Sequence, residues 1–169
     1  MNDVRIVPAE EKYVAGFTAV LDSVARERRY VGFLEAPPVE TMREFVKSIV
    51  GGAGVQLFAV TQDDTVVGWC DIVRNPREGF RHTGRLGMGL LPKYRRQGLG
   101  RQLVIKAVEA ARAIGMERIE LEVFASNAAA IELYQALGFV SEGIKRKARK
   151  LDGRYEDNIQ MALIGDLAK

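Results

Sequence analysis

The stretch Leu90–Arg101, with the sequence Leu-Leu-Pro-Lys-Tyr-Arg-Arg-Gln-Gly-Leu-Gly-Arg, decides the fold of this chain. It closes an apolar run, His82–Leu91, that is typical of a strand. After it, apolar residues recur at the spacing of a helix: Leu99, Leu103, Ala107, Ala110 and Ile114. The stretch is therefore predicted to be a Gly-rich turn that leads from a strand into the first turn of a helix.

The predicted turn has the features of an anion site. The first N–H groups of a helix have no partner within the helix, and the helix dipole places partial positive charge there. Gly98 and Gly100 carry no side chains that would keep a phosphate from these amides. Arg95, Arg96 and Arg101 add positive charge, so we interpret the turn as a cradle for a pyrophosphate. A lone Gly-x-Gly also occurs in simple tight turns, and the arginines favour the anion site.

Two other nucleotide-binding motifs do not fit the same residues. The turn lacks the Lys-Ser/Thr ending of a P-loop, and so it lacks the usual site for a magnesium-bound nucleoside triphosphate. It also lacks the third glycine of Gly-x-Gly-x-x-Gly, and no acidic residue closes a second strand where a ribose would need one. A triphosphate or dinucleotide site is therefore not expected.

Several short motifs, in order along the chain, resemble one protein family. Residues 95–100, Arg-Arg-Gln-Gly-Leu-Gly, fit the Arg/Gln-x-x-Gly-x-Gly/Ala signature with which the GCN5-related N-acetyltransferases hold the pyrophosphate of acetyl-coenzyme A (acetyl-CoA). Residues 88–92 resemble the end of that family's fourth strand. The resemblance continues through four more segments: Leu121–Val123, Ser126–Ile131, Leu133–Tyr134 and Leu137–Phe139. It covers about half of the chain, from Gly84 to Leu163.

The periodicity of apolar residues predicts the strands and helices. The predicted strands cover residues 4–8, 55–61, 65–74, 82–91, 118–123, 139–150 and 155–164, and the predicted helices cover 10–28, 39–50, 99–114 and 128–137. With the resemblance, this implies an α/β (α+β) fold in a single N-acetyltransferase domain, residues 1–169. Its sheet would be mixed and mostly antiparallel, with about seven strands, about four flanking helices and a splay between strands four and five that admits the cofactor. Gly87 and Gly89 in the fourth strand predict a bulge or the close approach of a ligand.

Composition indicates an ordinary globular protein. Of 169 residues, 47% are hydrophobic and 28% charged, and the net charge of +3 is too small to favour nucleic-acid binding across the whole surface. The sequence shows no membrane-spanning run and no leader peptide. Cys70 and His82 are the only residues of their types, so neither a disulfide nor a Cys/His zinc site is expected. We expect a soluble cytoplasmic protein without a bound metal.

The resemblance implies which residues bind acetyl-CoA. They are Leu90, Leu91, Arg95, Arg96, Gln97, Gly98, Leu99, Gly100, Arg101 and Asn127. In the family, a main-chain amide near the end of the fourth strand binds the acetyl carbonyl oxygen, and here this is the amide of Leu90 or a neighbour. Gly87 and Gly89 would permit a distortion that frees this amide from strand pairing. Asn127 is also predicted to cap the following helix, and by resemblance it contacts the pantetheine arm.

Tyr134 is the acid that the resemblance implies, since it would lie beside the coenzyme sulfur and donate a proton to the departing thiolate. A phenol with a pKa near 10 gives a proton to a thiolate near 8.5 at a cost of roughly 2 kcal/mol, which a positioned hydrogen bond can offset. The alternative is a core aromatic residue whose hydroxyl is satisfied by a neighbour, because Tyr134 lies between Leu133 and Leu137 in a short predicted helix.

A base near the amine is useful because an alkyl ammonium is almost fully protonated at pH 7. In the family branch that acetylates protein N-termini, a glutamate twelve residues before the catalytic tyrosine serves as base, and Glu122 has this separation from Tyr134. Glu120, on the same face of the predicted strand, is the second candidate, and a water chain is the third. Both glutamates could instead be the solvated face of an amphipathic strand. Residues 86–91 contain no carboxylate, although some family members have their base there.

The function implied by the resemblance is that of an acetyl-CoA-dependent N-acetyltransferase, an acyltransferase that moves the acetyl group directly to a primary amine. The acceptor stays open between amino acids, polyamines, other small amines and protein N-termini, and a homodimer is an open alternative to a monomer. The loops Tyr30–Pro38 and Leu151–Tyr155 are expected to flank the acceptor. A covalent route through Cys70, with His82 as base, is the less favoured mechanism.

The competing function class is a non-catalytic acyl-CoA- or nucleic-acid-binding module on the same fold. The basic run Lys145–Lys150 has five charges in six residues, which suits either a solvated edge strand or a surface for an acidic substrate or polynucleotide. Aromatic residues do not interleave with the basic ones, which argues against a single-strand nucleic-acid binder. Glu122 and Tyr134 favour catalysis.

Overall fold

The structure is a computed structural model and describes residues 3–169. Its strands are β1 (Arg5–Pro8), β2 (Gly54–Val60), β3 (Val66–Arg74), β4 (Thr83–Leu90), β5 (Arg118–Phe124), β6 (Val140–Leu151) and β7 (Arg154–Leu163). Its helices are α1 (Val14–Arg26), α2 (Val39–Ser48), α3 (Leu99–Ala113) and α4 (Ala128–Ala136). The predicted strands and helices are all present, and their ends are shifted by at most four residues.

Two helix ends differ from the prediction for local reasons. Residues Glu11–Tyr13 form a short 3-10 turn, so the regular helix α1 starts at Val14 rather than Glu10. After α2 the chain makes a π-helical turn, Ile49–Ala53, in which Gly52 has a φ of 108°. Because that conformation suits glycine, the chain can turn there directly into β2.

The strands of residues 3–169 form one sheet in the order β1-β2-β3-β4-β5-β7-β6. Neighbouring strands are antiparallel except β4 and β5, which are parallel because the chain returns through α3 between them. The β4–β5 ladder contains only Thr83–Arg85 against Arg118–Glu120. Beyond Arg85 the two strands separate, which confirms the mixed sheet and its splay between strands four and five.

Apolar residues pack on both faces of the sheet. The face that we call the α3 face carries a cluster that includes Leu103, Val108, Ile119, Tyr134 and Met161. The opposite face, which we call the α1 face, carries a cluster that includes Phe17, Val46, Phe58 and Trp69. Side chains alternate along a strand, so Leu121 and Val123 lie on the α3 face and Glu120 and Glu122 on the α1 face. No helix within residues 3–169 has the length and hydropathy needed to cross a bilayer.

Gly87 and Gly89 produce no bulge in β4, so the first of the two predicted alternatives is wrong, and the close approach of a ligand stays a prediction. The register between β3 and β4 runs without interruption. Instead, a Cβ at position 89 would lie 2.3 Å from Cη2 of Trp69, whose ring crosses the strand. A Cβ at position 87 would lie 3.4 Å from Oδ1 of Asp71. Gly89 therefore allows the Trp69 ring of β3 to lie across β4, whereas a Cβ at position 87 would only contact the Asp71 carboxylate.

We expect Gly89→Ala to destabilise the fold by about 1–3 kcal/mol, because the added methyl group displaces the Trp69 ring from a packed core. Gly79→Ala is the matched control, since a Cβ there meets nothing within 4 Å. Its effect is expected to stay within about 0.5 kcal/mol. The measurement is urea unfolding of both variants and the parent. Equal unfolding free energies for the two variants would show that the Trp69 packing does not depend on this glycine.

Candidate active site

The amide of Leu90 faces the splay between β4 and β5. The N–H of Leu91 donates to the carbonyl of Val67 at 2.9 Å, so Leu91 is bonded to β3. Successive residues of a strand direct their backbone groups to opposite sides, so the N–H of Leu90 points towards β5. β5 is no longer paired with β4 at this level, and the Leu90 amide is therefore available to a ligand. The splay itself frees it, without any distortion at Gly87 or Gly89.

Arg95 does not add free charge to the turn, which corrects the interpretation of its side chain. Its guanidinium forms a two-pronged ion pair with Glu27, just after α1, with Nη1 2.8 Å from one carboxylate oxygen. Its Nε donates to the carbonyl of Leu90 at 2.9 Å, and its guanidinium carbon lies 4.7 Å from the centre of the Tyr30 ring. The Arg95 side chain therefore links the turn to the end of β4, through Leu90, and to the end of α1, through Glu27.

Six consecutive amides at the start of α3 have no acceptor within residues 3–169. The N–H of Arg95 donates to Pro92, and the next backbone donor with a partner is Gln102, which donates to Gly98 at 3.1 Å. The amides of residues 96–101 between them are unpaired. Gly98 is exposed, has a φ of 79°, and no side chain caps the helix. Such an array of amides binds anions.

Arg96, Gln97 and Arg101 surround these amides. Arg96 is exposed with a φ of 60°, and Arg101 lies in the first turn of α3. Neither arginine forms an ion pair with a carboxylate in the part of the chain that the structure describes. The side-chain amide of Gln97 donates to the carbonyl of Lys93 at 2.7 Å and so stiffens the turn. The free positive charge of the turn therefore comes from Arg96 and Arg101.

Leu99 and Gly100 hold the first turn of α3 against β4. The Leu99 side chain is buried in the cluster on the α3 face. A Cβ at position 100 would lie 3.3 Å from Cε of Met88 and 3.5 Å from Cδ1 of Leu90. The glycine therefore lets the open amides lie close to the mouth of the splay.

Tyr134 lies on the α3 face, 6% exposed, with its ring centre 5.5 Å from that of Phe139. Within residues 3–169, no group forms a hydrogen bond to its hydroxyl. Burial raises the pKa of the Tyr134 phenol above its ordinary value, and the nearby Cys70 adds to this. Tyr134 therefore keeps its proton throughout the physiological pH range, which suits a proton donor and excludes a base.

Asn127 caps α4, as predicted. Its side-chain oxygen accepts from the N–H of Ala130 at 3.3 Å, and its own N–H donates to the carbonyl of Phe124. These bonds use the oxygen of the amide side chain and leave its NH₂ group for another partner.

Cys70 and His82 are not brought together. Cys70 is fully buried, and burial raises the pKa of its thiol well above the usual range. It pairs with Met88 in β4, whereas His82 is exposed and precedes that strand. His82 is therefore six residues, about 20 Å along the strand, from Met88, the residue beside Cys70. The residues of a covalent route are therefore not assembled. The described part of the chain also contains no group of three or more His, Cys, Asp or Glu that could hold a metal.

Glu122 lies on the α1 face among groups that bind it tightly. Its carboxylate accepts from Nζ of Lys145 and from Nδ2 of Asn158, and lies 3.6 Å from a guanidinium nitrogen of Arg85. Lys145 above all lowers the pKa of Glu122. A carboxylate with a lowered pKa is a weaker base. The role of Glu122 as base stays a prediction, and its surroundings favour ion pairing.

Glu120, the second candidate base, lies in the closed part of the β4–β5 ladder. It is in register with Arg85 and forms an ion pair with Arg118 at 3.2 Å. Arg118 also pairs with Glu142. Glu120 therefore belongs to a surface ion-pair group away from the opening.

Asp71 is a carboxylate that the sequence interpretation missed. It lies half-buried on β3, on the α1 face, in register with Gly87, and has no ion pair within residues 3–169. Burial raises the pKa of Asp71 to about 7, and the nearby Trp69 indole offsets only part of this effect. The signal that could have found it is a single acidic residue inside the otherwise apolar run Val66–Val73. A carboxylate that titrates near neutral pH is a candidate for proton transfer.

Asp71→Asn is expected to raise the free energy of unfolding at pH 8. The folded protein holds a proton on Asp71 where the unfolded chain has lost it, so stability falls as pH rises from 3.8 to about 7. The neutral amide removes this cost, with an expected gain of about 1–4 kcal/mol at pH 8 and little change at pH 4. Urea unfolding at both pH values is the measurement.

Glu122→Gln is the matched comparison and should change stability with the opposite sign. Because the pKa of Glu122 is lowered in the folded protein, its ion pairs stabilise the fold above pH 4.5, and this contribution is lost as pH falls through the lowered value. The variant should therefore be less stable than the parent at pH 8. A destabilised Asp71→Asn at pH 8 would contradict the raised pKa.

The two loops expected to flank the acceptor meet at the edge of the α1 face. Arg28, just after α1, forms an ion pair at 3.0 Å with Asp152 in the β6–β7 turn. The loop 30–38 therefore starts beside that turn. Phe33 and Leu34 in this loop are 50% and 42% exposed, so the loop presents an apolar surface to solvent.

The basic run Lys145–Lys150 lies on β6, which is an edge strand of the sheet. Arg149 pairs with Glu156 of the adjacent strand β7, and Lys145 pairs with Glu122 of β5, which lies beyond β7. The ammonium of Lys147 lies 4.8 Å from the centre of the Tyr155 ring. These three of the five basic side chains thus interact with groups of the sheet itself. This supports the edge-strand interpretation over a polynucleotide surface.

The chain matches a known family and known proteins. The family model described as acetyltransferase (GNAT) family matches residues 17–139. The chain is 46% identical over 72 residues to the ribosomal protein bS18-alanine N-acetyltransferase of Escherichia coli K12. That match covers 43% of this chain and 49% of the relative, so the chain spans about half the length of that protein. It is 27% identical over 166 residues to the L-amino acid N-acetyltransferase AaaT of the same strain, which covers 97% of this chain and 99% of AaaT.

Solved structures share the whole fold. A GNAT-family acetyltransferase from Streptococcus pneumoniae is 28% identical, with a TM-score of 0.89 over 96% of this chain and 100% of that one. The putative acetyltransferase yncA of Salmonella typhimurium, solved with acetyl-CoA, has a TM-score of 0.89 at 20% identity, over 96% of this chain and 94% of that one. The sheet order and the splay therefore belong to a fold that these proteins have in common.

Proposed function

The chain belongs to the acetyltransferase (GNAT) family, and on that premise we propose that it transfers the acetyl group of acetyl-CoA directly to a primary amine within a ternary complex. The observation that carries this proposal is the row of six unpaired amides, residues 96–101, at the mouth of the β4–β5 splay. A pyrophosphate on these amides would direct an attached pantetheine arm into the opening. The free amide of Leu90 lies on the β4 side of the opening, and Tyr134 is buried on the α3 face.

The residues present fit a coenzyme A pyrophosphate. Gly98 and Gly100 leave the amides accessible, and Arg96 and Arg101 supply charge that no carboxylate of the described chain neutralises. Asn127, at the start of α4 on the far side of the splay, has a free NH₂ group for a pantetheine carbonyl. When bound, acetyl-CoA supplies the thioester whose carbonyl carbon accepts the amine.

Leu90 and Tyr134 would act on that thioester from the protein. The Leu90 amide points into the splay, where it can donate to the carbonyl oxygen as negative charge develops there. The Tyr134 hydroxyl has no protein partner and keeps its proton, because burial raises its pKa. It can therefore donate to the thiolate that leaves. The raised pKa of Tyr134 makes a free tyrosinate costly. Its proton therefore has to pass to the sulfur while the C–S bond breaks.

We assign the acceptor to the α1 face, opposite the coenzyme. The loop 30–38 and the β6–β7 turn meet there. The α-amine of an amino acid or of a peptide N-terminus is the acceptor class that the relatives support. AaaT, named for L-amino acids, aligns over nearly its whole length, whereas the ribosomal-protein enzyme aligns over about half.

The experiment that tests the function is release of coenzyme A thiol from acetyl-CoA with a panel of amines. The panel contains the L-amino acids, an alanine-initiated pentapeptide and spermidine. Acetylation of α-amines with no turnover of spermidine supports the assigned class. Turnover of spermidine alone would contradict that class, and binding of acetyl-CoA with no turnover of any amine would support the non-catalytic acyl-CoA-binding module.

Arg101→Ala is expected to weaken acetyl-CoA binding by about tenfold or more, since a hydrogen bond to a charged group contributes about 1.5–3 kcal/mol. Lys106→Ala is the control, because Lys106 is an exposed cation further along the same helix. The measurement is calorimetric titration, supported by thermal unfolding, where acetyl-CoA at 100 times its Kd should stabilise the parent by about 2.7 kcal/mol. Equal affinities of the two variants would remove Arg101 from the site.

Tyr134→Phe is expected to lower kcat by about 10- to 1000-fold with little change in acetyl-CoA affinity, because it keeps the ring and removes the proton donor. The control is Tyr13→Phe, which removes a hydroxyl that donates to Asp64 in the β2–β3 turn, away from the splay. Turnover is measured with the best amine of the panel, and affinity by calorimetry. Unchanged turnover in Tyr134→Phe would return Tyr134 to the role of a core aromatic residue.

A further inference from the structure

The carboxylate of Asp71 reaches across the neighbouring strand towards the splay. Asp71 is on β3, yet its Oδ1 and Oδ2 lie 3.4 and 3.9 Å from the place where a Cβ of Gly87 on β4 would be. The carboxylate therefore lies within van der Waals distance of position 87 on β4. Since Gly87 is in the part of β4 that has left β5, Asp71 lies beside the opening on the acceptor face.

A second polar side chain lies beside Asp71 without a partner. Gln56 on β2 is in register with Asp71 and so lies on the same face. It is 3% exposed, and neither its side-chain oxygen nor its nitrogen has a hydrogen-bond partner among residues 3–169. The carbonyl of Gln56 accepts from Ala9 on the β1 side, so Gln56 and Asp71 form the type of pair in which side chains come closest. A buried amide side chain without hydrogen-bond partners costs free energy of folding, so its presence here calls for an explanation.

The groups around Asp71 leave it without a cation. Arg85, two residues before Gly87 on the same face, is engaged with Glu122 at 3.6 Å. On α1, which packs on β3, Asp22 and Arg26 pair with each other at the surface. The strand register also places Gln56 on β2, and Trp69 and Val73 on β3, beside Asp71 on that face, and these three are uncharged. The Cys70 side chain lies on the other face.

We propose that Asp71 is the proton acceptor for the amine substrate, and that the adjacent side-chain amide of Gln56, which bonds no group of residues 3–169, is the positioning residue that becomes the partner of its carboxylate when substrate is bound. This inference rests on the proposed function and adds a catalytic residue to it. Asp71 has no competing ion pair, in contrast to Glu122, and its carboxylate is on the face from which the amine enters. Burial raises the pKa of Asp71 to about 7, which matches a base that works near neutral pH.

The proton balance of the step is complete. The Asp71 carboxylate takes one proton from the substrate ammonium and leaves a neutral amine. The amine lone pair forms the C–N bond to the acetyl carbon while the C–S bond breaks, and Tyr134 gives its proton to the sulfur. The nitrogen then loses its second proton, which returns to Tyr134 through water, and Asp71 releases its proton to solvent. Acetyl-CoA and the ammonium thus yield the acetylamide, coenzyme A and one proton.

The test is the pH dependence of kcat/KM from pH 5.5 to 9.5, with the best amine of the panel, for the parent, Asp71→Asn and Glu122→Gln. The parent is expected to lose activity below about pH 7, where Asp71 becomes protonated. This fall in kcat/KM on the acidic side is the acidic limb of the profile. Asp71→Asn should lack this limb and be about 100- to 10,000-fold slower at pH 7. Its deficit should shrink as the pH approaches the pKa of the amine itself, because neutral amine then becomes abundant. Glu122→Gln should keep the limb.

The outcomes separate this inference from the proposed function. A parent that binds acetyl-CoA but acetylates no amine overturns the proposed function, and the base role with it. An active parent whose limb persists in Asp71→Asn overturns the role of Asp71 alone, and loss of the limb in Glu122→Gln instead assigns the base to Glu122. Gln56→Met should move the midpoint of the limb. A lower Tm with an unmoved midpoint would make Gln56 merely structural. Thermal unfolding and acetyl-CoA titration of each variant confirm that it is folded and binds the coenzyme.

Discussion

The short parallel ladder between β4 and β5 is the constraint on which the rest of the structure depends. Only Thr83–Arg85 and Arg118–Glu120 pair, after which the strands separate. Backbone donors and acceptors that would have joined the ladder, including the amide of Leu90, are thereby left for a ligand. The crossover through α3 also places the six unpaired amides of that helix at the mouth of the same opening. One interruption in the sheet thus creates both ends of the candidate coenzyme site.

The splay gives the site two sides with different chemistry. On the α3 face Tyr134 is buried among apolar residues, where its phenol keeps its proton. On the α1 face Asp71 and Glu122 supply carboxylates, one without a cation and one bound by Lys145 and Arg85. The proposed proton donor, Tyr134, and the proposed proton acceptor, Asp71, therefore lie on opposite faces of the sheet. This arrangement allows an acid and a base to act on opposite ends of one acyl transfer.

Arg95 connects the two sides. Its guanidinium binds Glu27 next to α1 and the carbonyl of Leu90 at the end of β4, and it lies over the Tyr30 ring. The turn that would hold the coenzyme and the loop that would contact the acceptor are thus fixed to one side chain. Because the ion pair is half-buried and two-pronged, it restrains geometry more than an exposed pair would.

Sequence alone determined the order of the strands and helices, the Gly-rich turn and the cap at Asn127, because these depend on periodicity and on residues close together in the chain, whereas the candidate role of Tyr134 came from the family resemblance of its motifs. The predicted bulge at Gly87 and Gly89 was wrong, and at Gly89 the glycine instead accommodates the Trp69 ring of the next strand. Sequence also assigned the charge of Arg95 to a ligand, whereas Glu27, distant in sequence, takes it. Only the tertiary structure decided these points, and it brought Asp71 to the opening, because strand register and burial set a side chain's neighbours and its pKa.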